Sequence, residues 1–210
     1  MKEYYQKRAP VYDRVYAYPE RQADLRHLEE YVPKQFTGLD VLEIAAGTGY
    51  WTRFISHEAR SILATDVCEE VLQELLNREL PGNVRTMVAD AFTLERITQL
   101  FDAAFVGLWL SHVPKQRLKQ FVSGLHQRLK SGSTVLYIDN SAVQCKRLPI
   151  TDEDVFGNTY QDRVLDNGTS FRVLKNFPTQ QELRALVKDL ACDINFNELE
   201  NFWLFQYKLI

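Results

Sequence analysis

Residues 41 to 52 read VLEIAAGTGYWT, an apolar run of strand length that breaks into Ala-Ala-Gly-Thr-Gly and resumes with two large aromatics. Small residues in a strand-to-helix turn let a ligand approach the backbone closely. Gly47 and Gly49 alone are a weak signal of such a ligand. Asp66 strengthens it, because it ends the next apolar run about twenty residues on. A carboxylate there accepts hydrogen bonds from both hydroxyls of a ribose. A dinucleotide would need G-x-G-x-x-G, whose third glycine lets the helix pack on the strand. That frame places Ala45, Gly47 and Tyr50 in this chain, and the tyrosine argues against NAD or FAD. The other frame is Glu43-x-Ala45-x-Gly47-x-Gly49, an acidic strand residue ahead of three small ones.

A second reactive group lies beyond the fourth apolar run. His112, in LSHVP, titrates near neutrality and suits a general base, although a histidine there serves equally well to hold a loop or a helix start. His27, His57 and His126 fall in helical stretches and read as structural or solvated. Tyr4, Tyr5, Tyr12, Trp51 and Trp109 offer ring faces to a cation or to an aromatic ligand. For Trp51, core packing is the commoner fate. Arg8 suits a carboxylate or another anion. Asp139 and Asn140 end the fifth run, and the segment after it adds Asp154, Asn158, Tyr160, Gln161 and Arg163, a mixture that fits either a polar binding surface or a solvated excursion. Carboxylate and amide oxygens at 139 and 140 also suit magnesium, but no matching set of further carboxylates is evident, so a metal-free site is expected.

The elements that must position these groups alternate between strand-length and helix-length stretches, the pattern of a layered α/β domain. ERQADLRHLEEYV carries Leu25, Leu28 and Val32 at helical spacing ahead of Pro33. DVLEIA, RSILATD, NVRTMVAD, FDAAFVGLWL and TVLYIDN read as five strands. Helices are expected over GYWTRFISHEA, over EEVLQELLNREL, and after Pro114, where Leu118, Phe121, Val122, Leu125 and Leu129 share a face that Ser131-Gly132-Ser133 closes. The pattern lapses over residues 141–170, which suggests an insertion or lid. FRVLKNF is strand-like, Thr179-x-x-Glu182 reads as a capping box, and ENFWLFQYKLI as a last strand.

At 210 residues the chain fits one domain with a well-buried core. Its apolar fraction of 45%, charged fraction of 25% and net charge of −3 are ordinary for a globular protein and set up no basic field for nucleic acid or anionic membrane. No signal-type apolar region opens the sequence and no run reaches membrane-spanning length, so a cytoplasmic location is expected. Cys68, Cys145 and Cys192 lie far apart and read as reduced packing residues.

The Glu43-x-Ala45-x-Gly47-x-Gly49 frame resembles the S-adenosyl-L-methionine (SAM) loop of class I methyltransferases, and the resemblance extends over most of the chain. It implies a three-layer Rossmann-like α/β sheet of seven strands, mostly parallel with an antiparallel last strand and helices on both faces. It also implies one domain over 1–210, with an N-terminal helical cap at 1–35 and an insertion at 141–170. Under that resemblance Glu43, Ala45 and Gly47 face the amino-acid end of SAM, and Thr48, Gly49 and Trp51 are expected among the cofactor-binding residues. Asp66 takes the ribose beside Val67, and Asp90, Ala91 and Phe92 take the adenine. Gly107 belongs to the same site, and the Tyr-rich YYQKRAPVYDRVY segment closes over it through Tyr4 and Arg8. The acceptor side is expected to include Tyr12, Trp109, His112, Asn140, Tyr160 and Arg163, with His112 as the base. Alanine at 45 costs little if its φ is negative. No Asn/Asp-Pro-Pro-Tyr/Phe motif follows strand four, which disfavours enzymes that methylate amino groups of bases. The implied reaction yields S-adenosyl-L-homocysteine (SAH) and a methylated small molecule, by a monomer or homodimer with no nucleic-acid or membrane partner. A protein or RNA methyltransferase, or a non-catalytic subunit on the same scaffold, are the alternatives.

Overall fold

A computed structural model of the chain describes residues 2–210. The chain opens with helix α1 (Lys2–Arg8), a 3₁₀ turn (Ala9–Tyr16) and a second short turn (Pro19–Arg21) that leads into α2 (Gln22–Lys34). Then follow β1 (Asp40–Ile44), α3 (Tyr50–Ile55), β2 (Ser61–Asp66), α4 (Glu69–Leu76), β3 (Val84–Val88), β4 (Phe101–Gly107), α5 (Leu118–His126) and β5 (Leu129–Asn140). Past a turn at Ala142–Lys146 come β6 (Asp152–Glu153), β7 (Thr159–Val164), β8 (Ser170–Leu174), α6 (Gln180–Val187), β9 (Ala191–Glu198) and β10 (Phe202–Leu209).

Seven of these strands form one sheet in the order β3-β2-β1-β4-β5-β10-β9. β3 through β5 pair in parallel, whereas β10 runs antiparallel to both β5 and β9. Side chains of a strand alternate between sheet faces, and this alternation divides the core in two. Ala103 and Phe105 pack with Leu28, Val32 and Ile55 of α2 and α3, while Ala104 and Val106 pack with Phe121, Leu125 and Leu183 of α5 and α6. The result is a three-layer α/β architecture. No helix among the described residues is long and apolar enough to cross a membrane.

Several expectations are corrected by the packing. Pro33 lies inside the last turn of α2, where the loss of one N–H is tolerated, and the helix ends at Lys34. Leu129 belongs to β5, paired with Phe101, and the register shifts between Phe101 and Ala103, opposite the stretch where Gly132 takes φ +79°. FRVLKNF supplies no strand of the main sheet: β8 joins β6 and β7 in a separate three-stranded sheet built from the segment 141–170 and the residues after it. The sixth main-sheet strand is instead β9, an outer strand of that sheet. Cys68 is buried, but Cys145 is only half-buried and Cys192 is exposed. The capping box at α6 forms as expected, Thr179 Oγ1 accepting the Glu182 N–H and Glu182 accepting the Thr179 N–H.

Candidate functional site

The tips of β1, β2 and β4 leave a groove at their carboxyl ends, the usual place for a ligand in an open α/β sheet. Its central cavity, about 70 Å³, is lined by Ala45, Gly47, Asp66, Val67, Gly107 and Trp109 together with Tyr5, Tyr12 and His112. It continues on one side past Asp90, Ala91 and Phe92, and on the other toward Glu43, Thr48 and Trp51. Asp66 braces the loop as well as lining it: Oδ2 accepts the Gly47 N–H at 3.1 Å and Oδ1 the Cys68 N–H at 2.9 Å. Asp90 Oδ1 accepts the Phe92 N–H at 2.8 Å, and the Arg117 guanidinium lies over the Phe92 ring at 3.5 Å. Thr48 Oγ1 donates to Asp13 at 2.6 Å, which ties the loop to the N-terminal segment.

Backbone strain marks the same place. Ala45 sits at φ +53° and Leu108 at φ +55°, left-handed conformations that side chains with a Cβ rarely adopt. The condition under which alanine at 45 costs little is therefore not met. Ala45→Gly is expected to raise the unfolding free energy by about 1 kcal/mol, the strain relieved being partly offset by glycine's entropy. Urea denaturation measures this directly. Gly49, at φ +79°, does different work from Gly47, since a Cβ there would meet Leu75 Cγ at 2.6 Å. It allows α3 and α4 to approach and does not line the groove.

The groove's polar groups suit a SAM-sized nucleoside with an amino-acid tail. Asp66 offers a half-buried carboxylate, and Glu43 a buried carboxyl group whose Oε2 accepts the Thr52 hydroxyl at 2.7 Å. Burial pushes the Glu43 carboxyl up to about 8. The indole nitrogens of Trp51 and Trp109, both on the groove, are buried without a hydrogen-bond partner.

Tyr5, Tyr12, Leu108 and His112 form a wall with a second cavity behind it, lined further by Arg8, Arg21, Asn140, Gln144, Arg163 and Lys175. His112 Nδ1 lies 2.6 Å from the Leu174 carbonyl, which can only accept, so Nδ1 carries the proton and Nε2 accepts from the Tyr5 hydroxyl at 2.8 Å. Burial, then the Lys175 and Arg163 cations, push the imidazole down to about 3. A neutral imidazole with Nε2 already engaged is a weak proton acceptor at pH 7. Beneath it, Asp139 accepts from Ser111 Oγ, Ser111 N–H and Lys175 Nζ, each at 2.9 Å. Burial alone would raise the Asp139 carboxyl, but Lys175 and His112 hold it below its ordinary value.

His112, and His126 pushed down to about 4 by burial, link folding to pH. Both folded values lie below the ordinary 6.5, so their contribution is complete above pH 6.5 and is lost as pH falls toward the folded values. Stability is expected to drop on acidification from pH 6.5 to 4.5, with a slope of at most about 1.4 kcal/mol per pH unit for each histidine. Denaturation curves at pH 7.5, 6 and 5 test the sign.

Besides Gly49, four expected site residues lie elsewhere or on the other side. Tyr4 points away from the groove, its ring against Phe171 and its hydroxyl accepting from Arg8 at 2.5 Å. Consecutive helical side chains diverge by about 100°, so α1 turns Tyr5 inward in its place. Arg8 lines the second cavity, not the SAM groove, whereas Trp109 lines the groove and not the second cavity. Tyr160 donates to Asp154 at 2.9 Å and stacks under Arg172 at 3.7 Å on the outer sheet. Asn158 and Gln161 are structural ties, accepting the Lys115 N–H and donating to the Leu148 carbonyl respectively. Sequence reasoning missed Leu108, Arg21, Gln144 and Lys175. Leu108 alone carried a local signal, as the residue after Gly107 at the strand end.

A sequence family described as a methyltransferase domain matches residues 41–132. No curated protein matches the chain. Among solved structures, a DhpI–SAH complex is 29% identical with a TM-score of 0.79, over 99% of this chain and 94% of that one. A DhpI–SAM–HEP complex is 28% identical, also at 0.79, over 98% and 94%. A protein from Pyrococcus horikoshii OT3 shares the fold at 19% identity and a TM-score of 0.77, over the whole of both chains.

Proposed function

We propose that this chain, a class I Rossmann-like SAM-dependent methyltransferase, passes the methyl group of SAM directly to an O, N or C nucleophile of a small molecule. The observation that carries the reading is the second cavity. It meets the SAM groove at Tyr5, Tyr12, Leu108 and His112, and is otherwise lined by the buried side chains of Arg21, Asn140, Arg163 and Lys175 and the half-buried ones of Arg8, Val15 and Gln144. A compact organic molecule fits such a chamber, and a folded RNA or protein surface does not. The slightly acidic charge balance supports an acceptor other than nucleic acid or an anionic membrane, and a cytoplasmic monomer or homodimer is part of the same proposal.

SAM, when bound, supplies an electrophilic methyl group on a sulfonium. The residues of this chain orient and exclude. Asp66 is assigned the ribose, Glu43 and the 45–47 backbone the amino-acid end, and Val67, Asp90, Ala91 and Phe92 the adenine. Tyr5 and Tyr12 line both cavities and are assigned to cover their junction against water. Holding two reactants in line is worth on the order of 7 kcal/mol or more. His112 is assigned a place on the shared wall, where it fixes the Tyr5 hydroxyl instead of collecting a proton. His112→Ala is expected to cut kcat at least tenfold with near-normal SAM affinity, while the wild-type pH profile shows no histidine inflection between pH 5.5 and 8. Full activity of the variant would leave His112 a packing role only.

Calorimetry with SAM and SAH tests the first half of the reading, and absence of binding at millimolar concentration sinks it. Incubation of a cell extract with methyl-labelled SAM tests the second. Label in small molecules is expected; label confined to protein or RNA would overturn the acceptor class, and binding without any turnover in such an extract would favour a non-catalytic subunit.

A further inference from the structure

We propose that the acceptor is a small organic anion, and that Arg21 and Arg163 grip its oxyanion group in the second cavity. The proposal rests on the methyltransferase reading above and deepens it by naming the acceptor's charge. Four cationic side chains line that cavity: Arg8, Arg21, Arg163 and Lys175. Lys175 is 1% exposed and paired with Asp139 at 2.9 Å, so its charge is compensated within the protein. Arg21 and Arg163 are only 5% and 8% exposed, and neither has a carboxylate within ion-pairing distance among the described residues.

Their existing partners are neutral. Arg21 donates to the Val15 carbonyl at 3.3 Å and lies over the Tyr18 and Phe202 rings. Arg163 donates to Gln161 Oε1 at 2.8 Å and also bonds the Tyr4 side chain, while its Nε is buried with no acceptor. Arg8 adds a third guanidinium, spent on the Tyr4 hydroxyl and on the Tyr4 and Tyr12 ring faces. Buried charge without a counter-charge is costly and uncommon. A planar guanidinium with a free edge presents the fork that carboxylate and phosphate oxygens fill. Two guanidiniums around one chamber therefore define a built anion site one wall away from the SAM groove.

Two further observations fit the same ligand. Asn140 and Gln144 line this cavity, and their Oδ1 and Oε1 are buried without donors, open to a hydroxyl or amine of the bound molecule. Arg8 and Arg163 also line a larger outer cavity of about 660 Å³ between the N-terminal segment and β7, together with Arg14 and with Lys7, which is paired with Glu3 at 2.7 Å. Arg14 there is offset by Asp166 at 2.8 Å.

The experiment uses the full-length protein saturated with SAH. Inorganic phosphate, acetate and glycerol are titrated at matched ionic strength, with the thermal midpoint and calorimetric heat as readouts. Phosphate or acetate is expected to bind and raise the midpoint, and glycerol is not; whichever anion binds more tightly identifies a phosphate-type or a carboxylate acceptor. Arg163→Gln and Arg21→Gln are each expected to weaken anion binding at least tenfold while SAH still raises the midpoint normally, which also shows that the variants fold. In parallel, metabolites retained by an anion-exchange resin are expected to accept label from SAM, and the flow-through is not. Anions that bind no better than glycerol, unchanged affinity in both variants, or label only in the flow-through would overturn the proposal. Failure of SAH itself to bind would instead overturn the methyltransferase reading, and the two failures are distinguished in the first titration.

Discussion

Asp66→Ala is expected to weaken SAM binding by about 1–3 kcal/mol, the usual scale for losing hydrogen bonds to a charged group, or about 5- to 150-fold in Kd. The carboxylate does two things that fail together. It stands on the groove at the end of β2, where it is assigned the ribose hydroxyls, and it holds the Gly47 and Cys68 N–H groups that shape the turn. Asp66→Asn separates these contributions, because the amide keeps one acceptor oxygen but turns a donor toward one of the N–H groups. Its affinity is expected to fall between wild type and alanine. Because Asp66 is half-buried at a loop, the unfolding free energy should change less than the binding free energy. Calorimetry of both variants with SAH reads the effect, and unchanged affinity in Asp66→Ala would place the ribose elsewhere.

The contrast between the loop and the second cavity explains what local sequence can convey. Glu43, Ala45, Gly47 and Asp66 are legible because short-range chemistry fixes them: a strand must end, a backbone must turn close to a ligand, and a carboxylate must follow one strand later. Arg21, Arg163 and Lys175 are scattered over 150 residues and meet only through tertiary packing, so none stands out from other basic residues. Tyr4 and Tyr5 differ by one position, and the phase of a seven-residue helix decides which faces the groove. β9 escaped notice because Ile194 and Phe196 alternate with Asp193, Asn195 and Asn197, a pattern of modest hydrophobicity proper to an outer strand. FRVLKNF does supply a strand, as its composition suggests, but its partner is β7 and not the main sheet. Strand propensity identifies strands; pairing is a property of the fold.

Glu43 yields the prediction with the most distinctive signature. In the chain without ligand, burial raises its carboxyl to about 8, so at pH 7 it is mostly the neutral acid. An ammonium group docked beside it, as assigned for the amino-acid end of SAM, favours the carboxylate. SAM binding at pH 6 to 7 is therefore expected to release close to one proton. Measured binding enthalpies should then differ between phosphate and Tris buffers by close to the difference in buffer protonation enthalpy. Over the same range Kd is expected to rise as pH falls, by at most tenfold per unit.

Linkage fixes the sign of the stability effect too. The folded value of Glu43 lies above its ordinary 4.5, so the native state holds an extra proton between 4.5 and about 8. That contribution is complete below pH 4.5 and is lost as pH rises through 8. Glu43→Gln removes the ionisation penalty and keeps the shape. The variant is expected to be more stable than wild type at pH 8.5, yet to bind SAM at least tenfold more weakly and with no buffer-dependent heat. Equal stability of the two proteins at pH 8.5, or a buffer-dependent heat that survives the substitution, would show that the proton belongs to another group.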